Sequence, residues 1–470
     1  MSKKLFVLIP LVLLLAAPSL AAIGIFENNK DIGTAGNPKG IGSVVDQGFV
    51  LKTDHLSQQY LFTAGGSDIW DSADHFQFAY RTITGDVRVT ASYDWVAASN
   101  DWAKVETMLR ATDAAGSIHY SAAGRKGPSY ANDYGGMQFR ESTGAGSGAI
   151  DASKPAGSAG PKILAIQRVT VGGLPWVESL VDWGLGAGLQ SVGIKLAFNL
   201  PNTVLAGIAV TSHDNEHLAQ AKVYDVKYDT KPALVGTLTF TKVPEAAAKA
   251  EPCTQIAGFK IRTIKSQFND GWGRAEMDKL LDFGCTGPMC TAKGMPIPGA
   301  EEGSRIDPVV NLRDTGDGAF GDNRSFPGID PFQYPAADPA SGDDDNNFAT
   351  EVLACVKLTK GLHIFGVSDD DGTILKVGGV EIGRSTEWKG TSNTDFIFEV
   401  AKEGWYDLRA RHLEGGGGAS LEIHEVLMNG TRILLGDVAK GGSQVVVPEP
   451  ATIALLGLGG LALLGSRKRR

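Results

Sequence analysis

The sequence predicts an all-β protein built from two antiparallel β-sandwich (jelly-roll-like) domains. Glycine accounts for 60 of the 470 residues, nearly twice the average share of about 7%, which indicates many turns between short strands. Apolar residues recur at every second position at Val87, Val89, Ala91 and Tyr93, the pattern of a half-buried antiparallel strand. Long apolar segments of helical period are almost absent from the body of the chain. Paired sheets are therefore the expected way to bury so many short strands.

The N-terminus has the pattern of a secretory signal peptide. Two lysines precede the apolar region Leu5–Leu15, and Ser19 and Ala21 place small residues at the −3 and −1 positions of a cleavage site. We therefore expect residues 1–21 to be removed during export.

The C-terminus, residues 444–470, consists of three parts in a fixed order. The rigid sequence Pro448-Glu449-Pro450 precedes 15 apolar residues, 451–465, and a basic end. As a helix the apolar run is about 22 Å long, which is short for a membrane span, but the bilayer can thin around a short helix. The basic end should stay cytoplasmic.

This order of proline box, short transmembrane helix and basic end resembles the PEP-CTERM sorting signal. The resemblance implies an exosortase-type processing enzyme as a partner. It also implies export to the cell surface or extracellular matrix, with transient or permanent anchoring in the membrane through residues 451–465. An ordinary tail anchor is the alternative interpretation.

The charge of the exported body restricts its partners. Removing the six basic residues of the two terminal segments changes the formal net charge from −9 to −15. Such an acidic surface argues against nucleic acid as a partner. It is compatible with cations and with neutral polysaccharide.

The first domain, residues 22–243, contains a series of aromatic and charged motifs. They include Asp68-Ile69-Trp70, Asp101-Trp102-Ala103-Lys104, Gly136-Met137-Gln138-Phe139-Arg140 and Ile166-Gln167-Arg168. Together these motifs resemble the concanavalin A-like lectin/glucanase superfamily. The resemblance implies a jelly-roll sandwich whose concave face often meets carbohydrate.

The catalytic strand of the glucanases on that fold is missing. Retaining enzymes need two carboxyl groups about 5–5.5 Å apart, yet Glu-x-Asp occurs once in the chain, at Glu276 and Asp278, outside this domain. Several tryptophans can stack on sugars, although burial in the core is the more common role of so large a side chain. These are Trp70, Trp95, Trp102, Trp176 and Trp183.

Residues 244–252 form the expected linker. Prolines at Pro244 and Pro252 bracket a Glu-Ala-Ala-Ala-Lys core, which typically behaves as a semi-rigid, partly helical spacer. The sequence therefore predicts a joint that holds two modules apart.

The second domain, residues 253–443, holds all four cysteines of the chain: Cys253, Cys285, Cys290 and Cys355. In an exported chain an even number of cysteines indicates disulfides, with three possible connectivities. One of these closes a small loop between Cys285 and Cys290 and joins Cys253 to Cys355. A zinc site is the alternative, but a paired Cys-x2-Cys spacing is missing.

An aspartate pair marks the most specific motif of this domain. Asp369-Asp370-Asp371-Gly372 precedes Leu375-x-Val377-x-Gly379 and Gly404-Trp405-Tyr406. Over residues 349–425 this order is similar to the protective-antigen-type lectin domain of toxins, glycosidases and fungal adhesins. The resemblance implies that Asp370 and Asp371 bind Ca²⁺, which in turn binds sugar hydroxyls. A solvated hairpin turn is the alternative.

The sequence therefore predicts a non-enzymatic, glycan-binding surface or matrix protein with an extracellular polysaccharide as its partner and calcium as a possible cofactor. The residues that contact the sugar are not identifiable from the sequence. A polysaccharide hydrolase and a structural matrix component without a ligand are the two alternatives, since a fold does not imply a function.

Overall fold

The computed structural model describes residues 23–33, 42–52, 54–98, 100–125, 134–265, 281, 301–313, 319–328, 348–415 and 418–448. The predicted signal peptide, the membrane segment and two of the four cysteines, Cys285 and Cys290, lie outside these residues, as do Glu449 and Pro450. In the part of the chain that is described, no helix is long and apolar enough to cross a membrane.

The predicted all-β class is confirmed. The chain divides into two compact units, Met1–Thr237 and Leu238–Arg470, called unit 1 and unit 2 below. Each unit contains two sheets, and nearly all strand pairs are antiparallel.

Unit 1 is built from two seven-stranded sheets. The first sheet has the order β1-β4-β13-β6-β7-β8-β9 and the second β12-β11-β10-β5-β14-β3-β2. The strands are β1 Asn28–Ile32, β2 Ser43–Leu51, β3 Leu56–Gly66, β4 Phe76–Thr84, β5 Val87–Ala97, β6 Lys104–Arg110, β7 His119–Arg125, β8 Tyr134–Arg140, β9 Gly148–Ser153, β10 Ile163–Val171, β11 Leu174–Asp182, β12 Gln190–Leu196, β13 Thr203–Thr211 and β14 Asp214–Asp229.

The core of unit 1 lies between these sheets because each strand turns alternate side chains inward. Val87, Val89 and Ala91 of β5 are buried there, as the sequence predicts, together with Val105 and Leu109 of β6. The opposite face of the β6 sheet is also covered, since all seven residues of β6 are buried. The charged residues of β6 are therefore buried as well, although their side chains point away from the core.

Unit 2 contains a six-stranded and a seven-stranded sheet. The first has the order β15-β23-β20-β25-β18 with β26 paired to β25, and the second β17-β16-β19-β24-β21-β22 with β27 paired to β19. The strands are β15 Thr241–Val243, β16 Phe259–Lys265, β17 Glu301–Asp307, β18 Asn311–Arg313, β19 Phe348–Leu358, β20 Gly361–Asp370, β21 Gly372–Val377, β22 Val380–Arg384, β23 Ser392–Val400, β24 Gly404–Glu414, β25 Ser420–Val426, β26 Arg432–Leu434 and β27 Val445–Val446. Short 3₁₀ helices span Glu245–Ala247 and Val438–Lys440.

The predicted linker, 244–252, is packed on unit 2 instead of lying free as a spacer. It follows β15, which pairs in parallel with β23, and Lys249 forms an antiparallel bridge with Trp405. Ala247 and Ala248 contact the core of unit 2. The free backbone groups of an edge strand favour such pairing. This pairing holds residues 244–252 on unit 2, although their composition is typical of a free spacer.

One disulfide of unit 2 is present in the structure. It joins Cys253 to Cys355, which is one of the connectivities left open by the sequence. The two cysteines form a small apolar cluster with Trp405. The remaining predicted pair, Cys285 and Cys290, lies outside the described residues.

Candidate functional site

The predicted aspartate pair lies where two strands of unit 2 meet. β20 ends at Asp370, and β21 begins at Gly372, so Asp371 occupies the corner between two different sheets. The backbone N–H of Asp371 donates to the carbonyl of Leu413 at 3.3 Å. This bond brings the end of β24 beside the pair.

That approach adds a third carboxylate to the cluster. Asp370, Asp371 and Glu414 each offer an oxygen, and these oxygens all lie within 4.8 Å of one another. Glu414 and Asp371 are buried, whereas Asp370 is partly exposed. Burial and the neighbouring charge of Asp371 raise the pKa of the Asp370 carboxyl above its ordinary value. Three negative groups so close together form a suitable environment for a cation.

Asp369, the first aspartate of the triplet, points into different surroundings. Its carboxylate is buried and accepts from the ammonium group of Lys389 at 2.7 Å and from the hydroxyl of Ser385. Asp369 is therefore neutralised by a lysine and is not part of the cluster. The three consecutive aspartates do not act as one acidic turn.

Hydrogen bonds hold the remaining parts of the cluster in position. Asp371 Oδ2 accepts from the backbone N–H of Gly415 at 3.0 Å. The ring nitrogen Nε2 of His412 lies 2.7 Å from the carbonyl oxygen of Asp370. Burial lowers the pKa of His412, so the imidazole is uncharged near neutral pH and donates to this carbonyl. Both contacts restrict the backbone that carries the carboxylates.

An exposed tryptophan borders the carboxylate cluster. Trp388 is 53% exposed, and its ring lies against Gly415, where any β-carbon would collide with it. The same β-carbon position is 3.3 Å from Asp371 Oδ2. Glycine at position 415 thus allows an open aromatic face to approach the carboxylates.

Beside the predicted pair Asp370 and Asp371, the structure places Glu414 and Trp388, two residues that the sequence reasoning does not identify. Glu414 directly precedes the glycine run 415–418, which by itself offers no side-chain oxygen. Trp388 lies outside the motif altogether. The sequence also offers the carboxylates of the acidic run 343–345 as possible further ligands, but this run lies outside the described residues.

Comparison with known families and structures adds the following. A family model described as "PEP-CTERM protein-sorting motif" matches residues 446–470. No curated protein sequence matches the chain. Similar solved structures include a PA14 sugar-binding domain from an RTX adhesin, with 18% identity, 38% of this chain and 95% of that chain covered, and a TM-score of 0.27.

Two further structures are similar to a comparable part of the chain. The PA14 domain of the MpAFP antifreeze protein shows 15% identity, covers 43% of this chain and 96% of its own, and has a TM-score of 0.27. The Epa9A domain of Candida glabrata, in complex with Galb1-3GlcNAc, shows 12% identity, with coverages of 44% and 94% and a TM-score of 0.27. The chain thus carries a PEP-CTERM sorting motif at its C-terminus, which indicates export and implies processing by an exosortase.

Proposed function

We propose that this exported protein is a non-catalytic glycan-binding protein of the cell surface or extracellular matrix. Its unit 2 holds a calcium ion through Asp370, Asp371 and Glu414, and the ion binds sugar hydroxyls. The observation that carries the proposal is the convergence of these three carboxylates within 4.8 Å of one another beside the exposed ring of Trp388.

The donor set fits calcium better than a transition metal. All three side chains are carboxylates, and hard oxygen ligands at about 2.3–2.6 Å suit Ca²⁺, which accepts six to eight of them. Zinc and other softer ions prefer histidine or cysteine ligands. Within the cluster, His412 turns its Nε2 to a backbone carbonyl instead.

Three side chains leave part of a calcium coordination sphere to other oxygens. When bound, calcium offers these positions to water or to vicinal hydroxyls of a sugar. Trp388 adds an apolar face on which a sugar ring can stack, because its exposed ring borders the same carboxylates. A bound calcium ion and the ring of Trp388 would together favour a ligand that has both vicinal hydroxyls and an apolar ring face.

A glycan array with the full exported chain tests the proposal. We expect binding in millimolar calcium and loss of that binding in EDTA. Trp388→Ala should weaken the calcium-dependent signal, whereas Glu399→Gln, an exposed carboxylate paired with Lys242 on another strand, should leave it unchanged. An array that is equally negative with and without calcium would favour a matrix component without a ligand.

A further inference from the structure

The first residue of β6, Lys104, forms a buried ion pair with a carboxylate from the loop between β3 and β4. Its Nζ lies 2.6 Å from Oδ1 of Asp68, and the two side chains are 2% and 23% exposed. The same nitrogen donates to the carbonyl of Ile69 at 3.2 Å. Because a carbon–oxygen bond is about 1.2 Å long, Nζ lies at most about 3.8 Å from the carboxyl carbon Cγ of Asp68. This separation is close to the about 3–3.5 Å from which two bound groups react.

Burial makes this ion pair costly. Two charges that leave water lose hydration, which their mutual attraction only partly replaces. The surroundings of Lys104 are partly apolar, since the centroid of the Trp70 ring lies 5.6 Å from Nζ and Ile69 is fully buried. An amide between the lysine and the aspartate carries no charge. Its formation would therefore remove the cost of burying two ions.

A buried acid lies beside the pair. Glu106 is two residues after Lys104 on β6, so both side chains leave the strand on the same face, which is turned away from the core. The Glu106 side chain is fully buried, and the hydroxyl of Ser121 hydrogen-bonds its carboxyl group. Glu106 is therefore shielded from water next to the amine that would have to lose a proton.

The protonation of Glu106 suits a group that takes up a proton and returns it. Burial raises its pKa to about 7, while the charge of Lys104 lowers it and the charge of Asp68 raises it. That both charges act on Glu106 places its carboxyl near both members of the pair. A group with a pKa close to the working pH is the most effective in proton transfer.

The second oxygen of Asp68 faces a histidine. Nε2 of His213 lies 3.2 Å from Oδ2, and the side-chain amide of Asn100 donates to the carbonyl of His213 at 2.9 Å. A hydrogen bond to Oδ2 draws electron density from Cγ and stabilises the negative charge that develops when a nucleophile attacks there. The carboxyl group of Asp68 thus lies between a nucleophile and a hydrogen-bond donor.

The pair borders an open cleft. Asp68, Lys104 and His213 belong to the walls of a cavity of about 760 Å³. A water molecule released by the carboxyl group therefore has a path to solvent, although the lysine itself is buried.

We propose that unit 1 forms an intramolecular isopeptide bond between Nζ of Lys104 and Cγ of Asp68, with Glu106 as the proton carrier. The ammonium group of Lys104 gives a proton to Glu106, and the free amine attacks Cγ. The N–Cγ bond forms and one Cγ–O bond breaks. Glu106 returns its proton to the departing oxygen, which leaves as water with a second proton from the nitrogen.

The reaction consumes no other reactant. One ammonium group and one carboxylate become one amide and one water, and Glu106 ends in the state in which it began. The product closes the chain covalently between Asp68 and Lys104, which restricts the unfolded state as a disulfide does. This modification goes beyond the calcium and glycan binding proposed for unit 2 and does not depend on either.

Mass spectrometry of the purified exported chain tests the proposal. After reduction of the disulfides, the intact protein should be lighter than its sequence by the mass of one water molecule. Trypsin does not cut after an acylated lysine, so the digest should contain residues 53–81 joined to residues 89–110. The ion pair of Lys30 and Asp113 is the internal control. Its atoms are 2.5 Å apart, but its side chains are 47% and 43% exposed, and its peptides should stay separate.

Three variants separate the bond from the ion pair. Lys104→Arg keeps the positive charge beside Asp68 but has no amine that forms this amide, and Asp68→Ala removes the carboxyl group. Glu106→Gln keeps the shape of the proton carrier but cannot accept a proton. We expect all three to have the full mass of their sequences and a lower thermal midpoint than the parent protein.

The parent protein alone can overturn the proposal, whether or not every variant folds. A parent chain of full mass would show that Lys104 and Asp68 form only an ion pair. A loss of water with residues 53–81 recovered as a free peptide would place the reaction elsewhere in the chain and overturn it equally. A complete cross-link in Glu106→Gln would refute the role assigned to Glu106.

Discussion

The carboxylates of Asp371 and Glu414 lie within 4.8 Å of each other, although Asp371 follows the end of β20 and Glu414 is the last residue of β24. The hydrogen bond from Asp371 to Leu413 fixes this approach. Two buried carboxylates at this separation repel each other unless a cation or a proton offsets the charge. The relationship is therefore the most direct basis for a calcium prediction.

Removing charge from the cluster should abolish calcium binding. We expect the full exported chain to release or absorb heat with calcium, with a dissociation constant of about 10⁻⁴–10⁻³ M, as in extracellular calcium-binding modules. The double variant Asp370→Asn/Asp371→Asn and the single variant Glu414→Gln should show no such heat. Glu399→Gln serves as the control. Identical absence of heat in parent and variants, with equal thermal midpoints, would mean that the corner is only a turn.

The disulfide should be present in the exported protein. Cys253 and Cys355 are joined across a sequence separation of 102 residues, and closing a loop of this length restricts the unfolded chain strongly. We expect neither thiol to react with a labelling reagent in the native protein. Cys253→Ser/Cys355→Ser should lose about 2–5 kcal/mol of unfolding free energy. Labelling of all four cysteines without denaturant would contradict the prediction, which includes Cys285 and Cys290.

Glu106 should make the stability of the protein depend on pH in a defined window. Its pKa is raised from 4.5 to about 7, so the folded state keeps a proton that the unfolded chain has lost. Its contribution to the unfolding free energy therefore falls as pH rises from about 4.5 to about 7 and is constant above that. The total change is about 3 kcal/mol.

Glu106→Gln removes this dependence because an amide has no proton to lose. The difference in unfolding free energy between this variant and the parent protein should grow with pH across the window and then level off. Chemical denaturation at pH 4.5, 6 and 8 measures it, and Glu216→Gln on the exposed part of β14 is the control. A difference that does not change with pH would show that Glu106 is not buried as a protonated acid.

Asp74→Asn should destabilise the protein strongly. Asp74 is fully buried and binds both Arg110 and Arg140, and its loss of charge leaves two buried guanidinium groups without a counter-ion. Breaking a buried pair in this way costs about 3–5 kcal/mol. The control is Asp113→Asn, whose exposed pair with Lys30 should contribute at most about 1 kcal/mol. Equal effects of the two substitutions in urea denaturation would refute the structural role.

Processing at the sorting motif should remove the membrane segment and the basic end. If the exosortase recognises Pro448-Glu449-Pro450, protein extracted from the cell surface should lack residues 451–470. Intact mass spectrometry decides this, and Glu449→Ala should retain the full C-terminus. A parent protein that still ends at Arg470 would show a plain tail anchor.

Sequence reasoning predicts the strands whose side chains alternate and misses those formed by small residues. The apolar residues at every second position from Val87 to Tyr93 correctly predict β5. Residues 144–160 are rich in glycine, alanine and serine, a composition typical of a loop, yet they contain β9. Pairing with β8 supplies the backbone hydrogen bonds of that strand, and such long-range pairing leaves little trace in local composition.

The residues of the candidate sites also divide into those that the local sequence reveals and those that only long-range strand pairing brings into place. Asp370 and Asp371 are adjacent in the chain, so their pairing is visible in the sequence. Glu414 and Glu106 acquire their roles from register and burial, which depend on strands distant along the chain. The tryptophans also divide by burial: Trp176 and Trp183 are in the core, whereas Trp102 is open to solvent. No local pattern distinguishes these cases.

The last strand determines how far the folded protein can stand from its anchor. β27 pairs with β19 at Cys355 and Val356. The backbone N–H of Val447 donates to the carbonyl of Ile256 at 2.8 Å, and the carbonyl of Val447 accepts from the hydroxyl of Thr254 at 2.7 Å. Only the three residues 448–450 separate this clamp from the apolar segment. Even fully extended, they span about 10 Å.

A tether this short gives unit 2 almost no reach. Before processing, while residues 451–465 hold the chain in the membrane, the attachment point of unit 2 stays next to the membrane surface. If unit 2 binds a glycan as proposed, that glycan has to be captured close to the membrane surface while the chain is still anchored.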